Sequence, residues 1–242
     1  MADANLRVQS YARRATAGEE AEAYEGLPIF AFPGLHAFAA AMAGAELAAG
    51  GRVIDVAAGS GALGRRLADQ GFDVVCCDAE PEAFLLHGTL PFVAANLDED
   101  FVVHFDGSFD GVIGLEIIEH LENPRHFVRQ CAALLKPGGG LILSTPNLDT
   151  PRSILNFVRR GTFKFFDDHH HAKDGHISPL SQWQLKTAIV DASLDVRALE
   201  TVGAPYGKGP RHLGAKLLGL LARRNPYKAG VIVVASATKP RR

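Results

Sequence analysis

A chain of 242 residues that is 47% hydrophobic and 21% charged is long enough to bury one large core. With 25 basic against 27 acidic residues, its formal charge of -2 provides no global basic field, which argues against a nucleic-acid partner. Its three cysteines, two of them adjacent in an apolar run, suit neither a disulfide framework nor a CxxC metal site.

The opening MADANLRVQSYARR lacks the basic-then-apolar order of a secretory signal, so the expected location is the cytosol. Two helices are predicted at about 10–24 and 34–49, separated by LPIFAFPG. The second contains AFAAAMAGAELAA, which is too short to span a bilayer. RVIDVA at 52–57 reads as a strand, AGSG as a glycine turn, and ALGRRLADQG as a helix closed by Gly71. FDVVCCD is a second strand ending at Asp78, and Pro81 suits the first turn of a following helix.

PFVAA and FDGVIGL at 109–115 are further strands, followed by a helix at about 124–135, a KPGGG turn and a strand GLILSTP at 140–146. SPLSQWQLKTAIVDA reads as a helix capped by Ser178 before Pro179, and DVRALETVG and GVIVVASAT close the pattern as two strands. Apolar strands alternating with amphipathic helices predict a doubly wound, Rossmann-like α/β fold. Its sheet is mostly parallel with one antiparallel edge strand, and ligands sit at the strands' carboxyl ends. The expected organisation is a single domain over 1–242: a helical cap at 1–50, a cofactor half at 51–147 and a substrate half at 148–242.

Gly59, Gly61 and Gly64 stand in GxGxxG spacing, and an acid at the end of the next strand, Asp78, can take the hydroxyls of a ribose. This alone fits a nicotinamide-dependent oxidoreductase as well as an adenosyl cofactor. LEIIEHLENP at 115–124 places Glu116, Glu119 and His120 at i, i+3 and i+4, one face if helical. They can be a polar helix start, catalytic groups, or part of a divalent-cation site. A further ligand would come from FFDDHHHAKDGHISPL, where His176 is favoured, His171 second, with His36 a third candidate for the site.

Taken together, VIDVAAGSG, CCDAEP, SFDGVIGLEIIEHLENP and LLKPGGGLILSTPN resemble a class I S-adenosylmethionine-dependent methyltransferase of the seven-stranded kind, over about 52–147. Within that class the chain is most similar to the ubiquinone-biosynthesis O-methyltransferase-like group. The resemblance implies that Asp55, Ala57, Gly59 and Gly61 surround the methionine part of S-adenosyl-L-methionine, with Glu116 also on the cofactor. Asp78 and Ala79 would lie at the ribose, and Asn96, Leu97 and Asp98 beside the adenine. Ala57 stands where the family's DxGxGxG motif has its first glycine, and is compatible if its φ stays negative.

Small-RNA 2'-O-methyltransferases carry a similar Glu-x-x-Glu-His and a later histidine before a tryptophan-bearing helix, here His176 ahead of Trp183. Both resemblances imply His120, His176 and Glu116 as catalytic groups, and Glu116, Glu119, His120 and His176 as ligands of Mg, Mn or Zn. The expected reaction is O-methylation of a small or lipid-linked hydroxyl, with an RNA 2'-hydroxyl as the alternative acceptor. Leu213, Leu217, Leu218, Leu220 and Leu221 with the basic residues around them, in 201–230, suggest peripheral membrane contact or a grip on a lipid-linked substrate. SILNFVRRGTFKFF at 153–166 reads as a lid or substrate wall.

Overall fold

The computed structural model describes residues 22–204 and 230–241. A seven-stranded sheet begins at one edge with β5 (Phe92–Ala94), then β4 (Asp73–Asp78), β3 (Arg52–Val56), β6 (Phe109–Gly114) and β7 (Leu135–Pro146). It continues through β9 (Ile232–Thr238) to β8 (Asp195–Val202). A separate hairpin, β1 (Ala23–Tyr24) and β2 (Leu27–Pro28), occupies part of what the sequence suggested as the first helix, because Glu25 and Gly26 both take positive φ and turn the chain. The remainder of that predicted helix, and the basic-leucine segment at 205–229, lie outside the described residues.

The helices are α1 (Leu35–Glu46), α2 (Ala62–Asp69), α3 (Pro124–Leu134), α4 (Pro151–Arg160), α5 (Asp168–Asp174) and α6 (Gln182–Asp191). Leu35 and Ala39 of α1 and Leu63 and Leu67 of α2 join one apolar cluster. Phe127 and Cys131 of α3 join another with Leu185 and Ile189 of α6. The sheet therefore has a covered face on each side, which is what permits its interior strands to be largely apolar. The cysteines are free and buried, as expected of packing residues.

Strands β5, β4, β3, β6 and β7 pair in parallel, whereas β9 is antiparallel to both β7 and β8, with seven register pairs to each. The antiparallel strand thus sits one place in from the edge. The reason is in the residues: Val233, Val234 and Ala235 are fully buried and need cover on both faces, while β8 carries Asp195, Arg197 and Glu200 and tolerates an open edge.

Three other local expectations change. The residues after Pro81 form only a 3-10 turn, Pro81–Ala83. KPGGG is not a turn: it lies inside β7, where the register shifts between the Phe109–Leu135 and Gly111–Gly140 pairs. Its last glycine has a packing use, since a Cβ on Gly140 would come within 2.5 Å of the Leu47 side chain at the end of α1, as one on its β6 partner Gly111 would within 2.4 Å. The last helix is capped by Ser181, with a reciprocal capping box to Gln184, because Ser178 is committed elsewhere: its amide donates to Glu119 O and its hydroxyl to Leu121 O.

The third glycine of the GxGxxG run is explained by packing as well. A Cβ on Gly64 would sit 2.5 Å from Sγ of Cys76, which is fully buried in β4. Gly64→Ala is expected to cost about 1–3 kcal/mol in denaturant melts through overpacking. Cys76→Ala in the same chain should restore part of that loss; additive costs would show that this contact is not the cause.

Candidate active site

The carboxyl ends of β3, β4 and β6, the glycine turn and α5 enclose a cavity of about 900 Å³, at the upper end of ordinary small-molecule sites. Its acidic side comes from strand ends. Asp55 in β3 is 2% exposed, and its Oδ2 has no hydrogen-bond partner among the described residues. Burial, and next the charge of Asp78, push its carboxyl from 3.8 up to about 7. Asp78 ends β4, accepting the Gly59 amide on Oδ2 at 2.8 Å and the Glu80 amide on Oδ1 at 3.0 Å. Burial raises Asp78 against the lowering effect of those amides, and burial with Asp78 lifts Glu80 to about 7. Three acids facing one space suit a cation or hydroxyl donors.

A raised carboxyl holds its proton in the folded state while the unfolded chain releases it near pH 4. The folded state binds more protons between about 4 and 7, so Asp55 lowers stability as pH rises through that window. Asp55→Asn should therefore gain stability relative to the natural chain progressively from pH 4 to 7 in the absence of ligand. Thermal melts at a series of pH values check this, and a constant difference would rule out the burial effect.

The glycine turn holds a correction. Ala57 adopts φ 70, not the negative φ that its replacement of glycine suggested. Its amide and that of Ala58 both donate to Cys77 O, at 2.8 and 3.0 Å, and this double anchor holds the alanine in the left-handed region despite its Cβ. Gly61, at φ 91, does not line the cavity; it caps α2, and a Cβ there would meet Phe84 at 2.8 Å. The other residues assigned to the cofactor, Asp55, Ala57, Gly59, Asp78, Ala79, Asn96, Leu97, Asp98 and Glu116, all line the one cavity.

LEIIEHLENP is not a continuous helix. Glu116 has φ 49, and only Ile118–His120 makes a single 3-10 turn. The three polar side chains consequently separate. Glu116 reaches across to accept the Phe32 amide at 2.6 Å, and Glu22 likewise accepts the Gly34 amide at 2.7 Å. These two bonds hold the strap of residues 29–34 as a wall of the cavity, with Phe30 and Phe32 lining it. The aromatic-proline run LPIFAFPG was the available signal for this wall, which reading it as a mere break between helices misses.

Glu119, fully buried, and His120 instead meet His176: one ligand atom from each lies within 4.8 Å of the others. Glu119 O accepts the amides of Ile177 and Ser178, at 3.0 and 2.9 Å, which draws the 176–178 segment onto the turn. The His120 and His176 rings meet edge to face with centroids 4.8 Å apart. His176 Nδ1 lies 2.8 Å from Phe165 O. A carbonyl only accepts, so Nδ1 carries the proton and Nε2 the lone pair, the tautomer a base or ligand needs. Phe165 itself is at φ 71, and the strain at this non-glycine residue aims its carbonyl at the histidine.

His120 and His176 line the cavity; Glu119 does not. His171 does not line it either, whereas His169 does and His170 pairs with Asp167 at 2.6 Å. The three adjacent histidines lie on α5, and helical geometry sends them in different directions. His36 lines the cavity, held neutral by burial and by Arg66, which lower it to about 4.

The fold and this site define a class. The family model for the methyltransferase domain matches residues 30–199, and the chain belongs to that family. Membership of a methyltransferase family answers the choice left open with the nicotinamide oxidoreductases in favour of a methyltransferase domain. Curated relatives include the ubiquinone biosynthesis O-methyltransferase of Xanthomonas oryzae pv. oryzae (strain PXO99A), 38% identical over 143 residues, 52% of this chain and 56% of the relative. That of Xanthomonas campestris pv. campestris (strain B100) is 37% identical over 158 residues, 57% of this chain and 62% of the relative. The chain thus spans somewhat over half the length of these relatives.

Among solved structures, the SAM-dependent methyltransferase of Archaeoglobus fulgidus superposes with a TM-score of 0.58 at 16% identity, covering 84% of this chain and 94% of that one. An S-adenosylmethionine-dependent methyltransferase from Mesorhizobium loti gives 0.56 at 14% identity, covering 85% and 99%. At such identities the likeness is one of fold. No helix among the described residues is long and apolar enough to cross a membrane.

Proposed function

We propose that this methyltransferase acts on the oxygen of a small or lipid-linked hydroxyl compound. The observation that carries the reading is the Glu119–His120–His176 group at the cavity, within 4.8 Å. Bound S-adenosylmethionine supplies an electrophilic methyl on a positive sulfur. The chain's tasks are then to hold that molecule, align the hydroxyl behind the methyl and receive its proton.

Asp78 holds the ribose hydroxyls, and Asp55, whose buried Oδ2 has no partner among the described residues, takes the ammonium of the methionine part. The Gly59 backbone allows close approach, and Asn96, Leu97 and Asp98 flank the adenine. The acidic lining of the cavity fits a positively charged cofactor. His120 and His176 lie where a proton from the acceptor can be taken. Two imidazoles and a carboxylate also suit a divalent Mg, Mn or Zn ion, which would lower the pKa of the hydroxyl it binds. The apolar strap with Phe30 and Phe32 favours an aromatic or lipid-like body on the acceptor. Membrane association through 205–229 belongs to the same proposal.

Incubation with methyl-labelled S-adenosylmethionine and catechol, read by mass spectrometry, should give a methyl ether. Product formation should fall in excess chelator and return with Mg, Mn or Zn. Full turnover in chelator would remove the ion and leave the histidines as bases; methylation of amines but of no hydroxyl would overturn the oxygen reading.

A further inference from the structure

A strained turn and the strap of residues 29–34 meet at the cavity. Glu116 stands at φ 49, a left-handed backbone that a residue with a Cβ keeps only where its surroundings impose it. Its own amide donates to Oγ of Ser144, fully buried in β7, at 2.9 Å, which fixes the turn. The turn in its place aims the carboxylate at the strap, where Oε2 accepts the Phe32 amide at 2.6 Å. Glu116 consequently stands outside the Glu119–His120–His176 group.

The strap is seated on two bare stretches of backbone. A Cβ on Gly59 would lie 3.5 Å from the Phe30 ring, so Phe30 covers the glycine turn whose amide Asp78 accepts. A Cβ on Gly203, just after β8, would come within 2.7 Å of the tip of the Phe32 ring, so this ring is pressed onto the chain there. Only Ala31 separates the two aromatic residues, and Phe32 cannot leave its seat without pulling on Phe30. Both line the cavity. The bond from Glu116 to the Phe32 amide is charge-assisted, the stronger kind of hydrogen bond, and it is made at the centre of the strap.

We infer that Glu116 is a positioning residue: it clasps the strap at Phe32, and the clasp sets how fast a ligand held on the glycine turn leaves the cavity. The ligand half of this statement rests on the reading above that S-adenosylmethionine occupies that place; the clasp itself does not. Glu116 thus acts through Phe30 and Phe32, and not as the fourth member of the cation group that its spacing suggests.

The test uses the full chain labelled with nitrogen-15 at phenylalanine. Exchange of the Phe32 amide in deuterated water, assigned by Phe32→Leu, is compared with that of Phe127, whose amide donates to Asn123 O in the buried part of α3. In Glu116→Ala the Phe32 amide should exchange about tenfold faster or more, with Phe127 within about twofold. Glu116→Gln, whose side-chain oxygen can still accept, should fall between, and it decides the matter alone if the alanine variant does not fold. Release of S-adenosylhomocysteine, followed by rapid mixing, should quicken in the same order. Phe30→Ala should quicken it too, and Glu116→Ala should then add little, since both act through the strap. Unchanged Phe32 exchange in a folded Glu116 variant would overturn the clasp. Faster exchange with unchanged release would overturn its effect on the ligand, and additive effects with Phe30→Ala would mean that Glu116 touches the ligand directly and overturn its role through the strap. If S-adenosylhomocysteine does not bind the natural chain, the cofactor reading fails, while the exchange of Phe32 still decides the clasp.

Discussion

His120→Ala is expected to lower kcat by about 10²–10⁴-fold, the range for losing a positioned proton-transfer group, while affinity for S-adenosylhomocysteine stays within about twofold of the natural chain. The expectation follows from where the side chain lies. His120 lines the cavity and meets His176 edge to face, whereas the acids assigned to the cofactor stand at the ends of β3 and β4. A histidine that merely packed would show a fall in melting temperature and little change in turnover. Calorimetry of S-adenosylhomocysteine beside steady-state kinetics separates these outcomes. Retained kcat would remove His120 from the chemistry.

Asp78→Ala should weaken S-adenosylhomocysteine binding by roughly 10–100-fold, the loss of one hydrogen bond to a charged group being about 1.5–3 kcal/mol. The side chain has a second duty, because its two oxygens accept the Gly59 and Glu80 amides and thereby shape the glycine turn. Asp78→Asn separates the two. The amide keeps one acceptor for Gly59 but removes the charge, so it should preserve most of the melting temperature and still lose affinity. Unchanged affinity in a folded Asp78→Asn protein would show that this acid serves the turn and not the ligand.

Asp55, Asp78 and Glu116 were legible in the sequence because each follows an apolar run, VI, VVCC and VIGL, that a covered parallel sheet buries, so the acid falls at or near its carboxyl end. What was not legible depended on competition between local and distant partners. The spacing of Glu116, Glu119 and His120 is helical, yet Glu116 is recruited by the Phe32 amide 84 residues away and the helix never forms. Ser178 before proline has the chemistry of a cap, but its polar groups are already used by the turn beside it. Ala57 suggested ordinary backbone, and tertiary hydrogen bonds to Cys77 forced the left-handed geometry. His176 was found for a different reason from the one that places it: not a helix start, but two amides on the Glu119 carbonyl.

The position of β9 has a consequence for how the protein is made. Among the described residues β8 pairs in the sheet with β9 alone, and β7 has one unpaired side until β9 arrives. A ribosome delivers residues 135–202 before 232–238, so the nascent chain presents a long apolar strand edge until residues 232–238 emerge. Removal of the strand 232–238 would therefore detach β8 and open one edge of β7, and chaperone binding during synthesis should concentrate on the interval before it appears.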